Sequence, residues 1–189
     1  MENRLKEILS SIARDGSLFE EAVLAAKERQ KILAKPTGAL GRLEDISVQI
    51  AGITGKVIND IAKKAIVIMS ADNGVVEEGV ASAPQSVTLS QTINFIRGLT
   101  GVSSIAKHFA IDLLVVDMGV KLPIPDSLYT DTPFEDGSLT KKILNRSIAR
   151  GTNNLSAGPA MTRNQALTAI LEGVACAQAV KICGYDILG

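Results

Sequence analysis

Apolar residues recur at helical spacing through the first third of the chain. Leu5, Ile8, Leu9 and Ile12 fall on one helical face, the three-and-four-residue recurrence of an amphipathic helix. A second helix is expected to open at Ser17, where Glu20 three residues on completes a capping box. It carries Phe19, Val23, Ala26, Ile32 and Leu33, and Pro36 and Gly38 stop it. A third helix places Leu43, Ile46, Ile50 and Ala51 on one face.

From about residue 64 the pattern changes. Ala65-Ile66-Val67-Ile68-Met69 is a short, continuous apolar run closed by turn residues, as expected of a strand buried on both faces. Helices are predicted over 85–97 and 101–109, then a second apolar strand, Leu113 to Val116, ending in Asp117-Met118-Gly119. The stretch 120–138 is rich in Pro, Asp, Ser and Thr and reads as loop. Ile143 to Ile148 reads as a further strand. Thr162 with Gln165 forms a capping box for a helix to about Lys181, and Ile182 to Gly189 reads as one more strand.

Strand and helix in alternation imply an α/β architecture, a parallel sheet with helices on its faces. Ligands in such sheets bind outside the carboxyl ends of the strands. Here those ends are Asp72-Asn73-Gly74, Asp117-Met118-Gly119 and Leu188-Gly189. A parallel sheet needs cover on both faces, and nothing follows the last strand. The expectation is therefore a sequence cut partway through a larger domain.

Composition narrows the function. With 189 residues, 46% hydrophobic and 21% charged, the chain has an ordinary globular balance. Lys+Arg and Asp+Glu are both 20. That zero net charge argues against nucleic acid or an anionic membrane as partner, because phosphate binding draws on an excess of basic residues. Aromatic residues make up 3%, leaving few stacking platforms for bases. Cys176 and Cys183 with the single His108 give a zinc site almost nothing to draw on, so no metal is expected. His108 reads as a cation at a helix C-terminus. No apolar signal core or membrane-length run is visible, so the cytoplasm is the default expectation.

Generic nucleotide motifs are missing. Gly55-Lys56-Val57 lacks the rest of a phosphate-binding loop, and no Gly-x-Gly-x-x-Gly follows a strand. The segment from Asp72 to Gln91 is more informative: a polar, Gly-containing loop at a strand end runs into a helix that begins after Pro84. It suits a planar heterocycle; the plainer reading of the residues alone is a strand-to-helix connection with incidental carboxylates.

Ordered segments carry a resemblance. They are Lys35-Pro36-Thr37-Gly38-Ala39-Leu40-Gly41-Arg42-Leu43-Glu44, Ala71-Asp72-Asn73-Gly74-Val75, Arg97 to Val102, Arg150-Gly151-Thr152 with Asn154, and Gly158 to Arg163. In these the chain resembles the nicotinate-nucleotide:dimethylbenzimidazole phosphoribosyltransferases, with Asn73 where many members have His. The resemblance implies a Rossmann-like parallel sheet with flanking helices, incomplete here, over 61–189. It also implies a helical portion of a smaller domain over 1–60. Only the family's N-terminal half is matched. Its Gly-Glu-x-Gly-x-x-Asn-Thr-Thr loop, which helps hold the donor phosphate, and its general-base glutamate lie beyond, so no catalytic residue is expected within this chain.

The resemblance places Gln91 on the benzimidazole pocket, where an amide can hydrogen-bond a ring nitrogen. Ala83 stands where some members have Ser, and Pro84 shapes the same wall. Asp72 and Asn73 belong to the motif; Asp72 either meets ligand or caps backbone N–H groups of its own loop. Gly158 to Met161 reads as a turn ahead of the Thr162 cap, and Lys35 to Gly41 as a hinge between helices. The implied reaction transfers phosphoribose from nicotinate mononucleotide to 5,6-dimethylbenzimidazole in cobalamin lower-ligand synthesis, by a homodimer and without a cofactor. For this chain the expectation is a truncated form inactive alone; the alternative is a half-length protein that binds an aromatic base without catalysis.

Overall fold

A computed structural model describes residues 1–14 and 18–189. The chain divides into two compact units, Lys6–Ile61 on one hand and Met1–Leu5 with Ala62–Gly189 on the other. Helix α1 (Glu2–Arg14) contributes residues to both.

In the smaller unit, α2 (Glu20–Ile32) packs on α3 (Arg42–Thr54). Ala22, Ala26 and Ala51 are buried between them, with Val48 and Val57 alongside. Small side chains at the contact let the two helices approach closely. The Ser17 end of the expected capping box lies outside the described residues. The N-cap position of α2 is Phe19, which makes no side-chain cap. The connection between α2 and α3 is closed by Lys35, whose ammonium lies 2.7 Å from Glu44 Oε1. The same carboxylate accepts the Leu40 N–H at 3.1 Å.

The larger unit is built on a five-stranded parallel sheet and carries a separate two-stranded hairpin, seven strands in all among the described residues. Its strands are β1 (Lys64–Ala71), β2 (Ile111–Gly119), β3 (Tyr129–Thr130), the pair β4 (Phe134–Glu135) and β5 (Ser138–Leu139), β6 (Ile143–Asn145) and β7 (Ile187–Leu188). The order across the sheet is β3-β6-β2-β1-β7, while β4 and β5 form a separate antiparallel hairpin. The longest register joins β1 to β2, from Lys64 opposite Ile111 to Ser70 opposite Asp117, with an irregularity before Ala71.

Alternation along the strands sends side chains to two cores. On one face Ala65, Leu114, Val116 and Leu144 meet Cys176 and Val180 of α6 (Arg163–Ile182). On the other, Val115 and Ile143 meet Leu89, Ile93 and Ile96 of α4 (Ser86–Arg97). Helix α5 (Gly101–His108) packs beside β2. His108 closes α5, edge-on to Phe109 with ring centroids 4.9 Å apart. The Thr162–Gln165 capping box forms as expected: Thr162 Oγ1 accepts the Gln165 N–H at 3.2 Å and Gln165 Oε1 accepts the Thr162 N–H at 2.8 Å.

Two expectations are corrected. The stretch 120–138 is not plain loop; it contains β3 and β4 and the first residue of β5, each strand two residues long. Ile182 belongs to α6 rather than to the last strand, which is confined to Ile187–Leu188. Gly184, at φ +73°, turns the chain after the helix, and Asp186 then accepts the Ala62 and Lys63 N–H groups at 3.0 and 2.8 Å. Ile143 to Ile148 forms a strand only over Ile143–Asn145.

Candidate functional site

The carboxyl ends of β1 and β2 and the loop after β6 are tied together by backbone and carboxylate. Asp72, 4% exposed, donates its N–H to Gly119 O at 3.0 Å and accepts the Thr152 N–H on its own carbonyl at 3.0 Å. Its Oδ2 accepts the Lys121 N–H at 2.8 Å. The carboxylate therefore caps the loop after β2, not the loop that carries Asp72. Asp117, 2% exposed, caps from β2: Oδ1 accepts the Gly119 and Val120 N–H groups, each at 2.8 Å. Its Oδ2 accepts the Tyr129 hydroxyl at 2.5 Å. Burial first, and the Asp117 carboxylate second, hold the Tyr129 hydroxyl far above the usual phenol range.

Two glycines allow these loops to touch. A Cβ on Gly74 would lie 2.5 Å from the carbonyl oxygen of Thr152, and one on Gly119 would lie 2.7 Å from that of Ala149. Gly74 also donates its N–H to Thr152 Oγ1 at 3.1 Å. Farther out, Asn154 Nδ2 donates to Glu78 Oε1 at 2.5 Å, and Asn153 donates its N–H to Ala160 O at 2.8 Å. The loop after β1 is thereby clamped to the loop that leads into α6.

Two hollows flank the end of β1. The first, about 310 Å³, lies toward α6 and is lined by Met69, Met118, Ile148, Thr152, Asn153, Met161 and Gln165, with Ala71, Asp72 and Asn73. The second, about 350 Å³, lies toward α4 and is lined by Val76, Val80, Ala83, Pro84, Val87 and Thr88, again with Ala71, Asp72 and Asn73. Ala71, Asp72 and Asn73 border both. The walls are mostly apolar with a few polar groups between them, the usual make-up of a small-molecule site.

Of the residues singled out by sequence, Asp72, Asn73, Ala83 and Pro84 come together around the second hollow. Gln91 does not join them. It is exposed on α4, one helical turn past Val87, and lines neither hollow. Sequence reasoning misses Thr152, Asn153 and Met161 as site residues, although they sit within or beside matched segments. Their signal is position: each lies in a loop that the topology returns to the strand ends. Among the described residues no group of three His, Cys, Asp or Glu side chains is arranged to hold a metal. No described helix is long and apolar enough to cross a membrane.

The family model described as DBI_PRT phosphoribosyltransferase matches residues 17–189. The chain belongs to this family. A nicotinate-nucleotide–dimethylbenzimidazole phosphoribosyltransferase of Clostridium perfringens is 44% identical over 98% of the chain, a match that takes in 46% of that relative. One of the same name from Ruminiclostridium cellulolyticum is 46% identical over 90% of the chain and 48% of its own length. A crystal structure of the enzyme of that name from Thermus thermophilus superimposes with a TM-score of 0.78 at 34% identity, covering 89% of this chain and 47% of that one. The chain thus spans about half the length of the curated relatives it matches.

Proposed function

We propose that this chain supplies the base-binding part of a nicotinate-nucleotide:dimethylbenzimidazole phosphoribosyltransferase. The observation that carries the reading is the pair of hollows bordered in common by Ala71, Asp72 and Asn73. A transfer between two heterocycles needs two flat ligands held on either side of one sugar carbon, and adjoining hollows provide that arrangement.

In the proposed reaction a benzimidazole nitrogen attacks the anomeric carbon of nicotinate mononucleotide. The bond from that carbon to the pyridinium nitrogen breaks, and nicotinate leaves with the electron pair. The acceptor's other ring nitrogen gives up its proton to a carboxylate base as the new bond forms. The hollow walled by Ala83, Pro84 and Val87 suits the acceptor, an apolar bicycle; Ala83 offers the ring no hydroxyl, and the one hydroxyl in the lining is that of Thr88. Gln91, one turn along α4, stands outside the hollow, where its amide meets only a base that projects beyond Val87. The hollow beside Thr152 and Asn153 suits the nicotinate end of the donor. Its lining contains no Lys or Arg, so the donor phosphate is assigned to groups outside these residues.

No general base is assigned within the chain. Asp117 has both oxygens engaged in hydrogen bonds, and Asp72 holds the Lys121 amide. The reading therefore includes inactivity of the 189-residue chain by itself. The homodimeric assembly and cytoplasmic setting implied by the resemblance belong to the same proposal.

Titration calorimetry with 5,6-dimethylbenzimidazole tests it. Saturable binding is expected, reduced at least tenfold by Ala83→Trp, which fills the second hollow. Absence of binding by the unmodified chain would refute the assignment of that hollow. Formation of α-ribazole phosphate from both substrates by the chain alone would refute the placement of the base outside it.

A further inference from the structure

Three of the chain's four methionines meet at the first hollow. Met69 stands near the end of β1, Met118 near the end of β2, and Met161 in the loop that leads into α6. Elements far apart in sequence thus bring three thioethers to one hollow. Small residues keep the facing side of α6 low. Ala169 lines the hollow one turn after Gln165, and a Cβ on Gly173, a turn further on, would lie 3.7 Å from the Met69 methyl. Among the described residues no aromatic side chain lines this hollow. A flat ring entering it meets polarisable sulfur and adaptable methyl ends, which make favourable contacts with aromatic rings.

One polar group in this lining is held in place and left without a partner. Gln165, half-buried, is the third residue of α6 and one half of its capping box. Its Oε1 accepts the Thr162 N–H at 2.8 Å and lies 3.0 Å from the Thr162 hydroxyl. A backbone N–H can only donate, so the atom it meets is the amide oxygen and the NH2 is the other end. That NH2 makes no hydrogen bond with the described residues. In the loop that leads into α6, by contrast, Thr152 Oγ1 donates to Asn153 O at 3.0 Å and Asn153 Nδ2 to Pro159 O at 3.5 Å. The helix cap accounts for the oxygen of Gln165 and makes no use of its nitrogen.

We infer that Gln165 is a ligand-binding residue whose NH2 donates to an acceptor atom on the edge of a flat heterocycle held among Met69, Met118 and Met161. The ligand class is an aromatic ring that carries a carboxylate or a bare ring nitrogen at its edge. Because the cap already fixes the side chain, little rotamer freedom is lost when the donor meets its acceptor. In the proposed function the ring is the nicotinate end of the donor and the acceptor is its carboxylate, so the identity of the acceptor rests on that reading.

The test is NMR of the 189-residue chain, isotope-labelled at its methionine methyls and titrated with three rings. They are N-methylnicotinate, the same pyridinium with a methyl group in place of the carboxylate, and N-methylbenzimidazole, whose acceptor is its bare nitrogen. N-methylnicotinate is expected to shift the Met69, Met118 and Met161 methyl signals saturably and to leave that of Met1, outside the hollow, in place. Gln165→Glu keeps an oxygen for the Thr162 cap and replaces the NH2 by a second oxygen. It should weaken N-methylnicotinate at least tenfold and leave the carboxylate-free pyridinium unweakened, while circular dichroism and the melting profile stay those of the unmodified chain. Unchanged affinity for N-methylnicotinate in that variant overturns the inference, because Gln165 is then a cap alone. Equal weakening of both pyridiniums overturns it too, since the effect then lies in the fold. So does a lack of saturable shifts with both N-methylnicotinate and N-methylbenzimidazole. Shifts with N-methylbenzimidazole alone, lost in Gln165→Glu, would leave Gln165 as the donor and refute the placement of the nicotinate end in this hollow.

Discussion

Asp117 and Tyr129 form a 2.5 Å hydrogen bond that joins the end of β2 to the start of β3. The same carboxylate holds the Gly119 and Val120 amides, so one buried side chain fixes the turn that borders the first hollow. Tyr129→Phe leaves one oxygen of a buried carboxylate without its partner. A hydrogen bond to a charged group contributes about 1.5–3 kcal/mol, and chemical denaturation is expected to show a loss of about 2 kcal/mol. A change below a few tenths would mean that the bond does not hold the turn.

The chain's two tyrosines both resist ionisation. Tyr185 donates to Asp112 Oδ2 at 2.6 Å, and burial, followed by this bond, pushes its hydroxyl up to about 12. A phenol whose folded value lies above its unfolded value near 10 stabilises the fold fully below about pH 10. That contribution declines as the pH rises through the folded value. Tyrosinate absorbance of the native chain should therefore remain low at about pH 10, where free tyrosine is half ionised. Tyr185→Phe should lessen the fall in melting temperature between about pH 10 and 12. Ordinary titration of both phenols near 10 would contradict the buried geometry.

Gly74 cannot accept a side chain without movement. Its added Cβ would lie 2.5 Å from backbone atoms of Thr152 and Asn153, which are not flexible side-chain ends. Gly74→Ala is expected to cost about 3 kcal/mol, at the upper end of overpacking effects. It should also separate the loop after β1 from the Thr152 loop and weaken heterocycle binding at least tenfold. Intact stability with lost binding would show that the clamp matters only for the site.

Much of the sheet was legible in the sequence because its central strands are continuous apolar runs. Ala65 to Met69 and Leu113 to Val116 became β1 and β2, and Thr162 with Gln165 announced α6. The short strands were not legible. Tyr129 and Thr130 join the sheet by pairing with Ile143 and Leu144, a tertiary contact that two residues of local propensity cannot signal. The two hollows were half legible: a strand end marks Asp72 and Asn73. Thr152 reaches them through a bond to the Asp72 carbonyl from a distant part of the sequence, for which no local pattern exists. Gln91 came from resemblance alone, and its distance from the hollow is a property of how α4 lies.

Cys176 and Cys183 should differ in reactivity. Cys176 is buried on the α6 face of the sheet, and burial pushes its thiol up, with Glu172 adding to the effect. The thiolate is the reactive form, so both access and ionisation slow this residue. Cys183 is only half-buried at the end of the same helix. A disulfide reagent at about pH 8 should label one thiol quickly and the second at least tenfold more slowly. Cys183→Ser should remove the fast phase.

Lys35 and Glu44 close the connection between the two packed helices of the smaller unit. The hydrogen bond from Lys35 first, and that from the Leu40 amide second, hold the Glu44 carboxyl below its usual value of 4.5. A carboxyl with a depressed folded value stabilises the fold above its unfolded value, and that contribution is lost as the pH falls through the folded one. Melting of the chain between about pH 5 and 3 should therefore include a destabilising step that Glu44→Gln removes. Carbon-detected NMR titration of Glu44 should give a midpoint under 4.5 in the native chain and a higher one after Lys35→Met, with the Leu40 amide still holding part of the depression. The same Lys35→Met variant keeps most of the side-chain bulk, so it separates loss of the charge from loss of packing. An unchanged Glu44 midpoint in that variant would show that the two side chains do not pair in solution, leaving the ordinary turn residues Pro36 and Gly38 to set the connection.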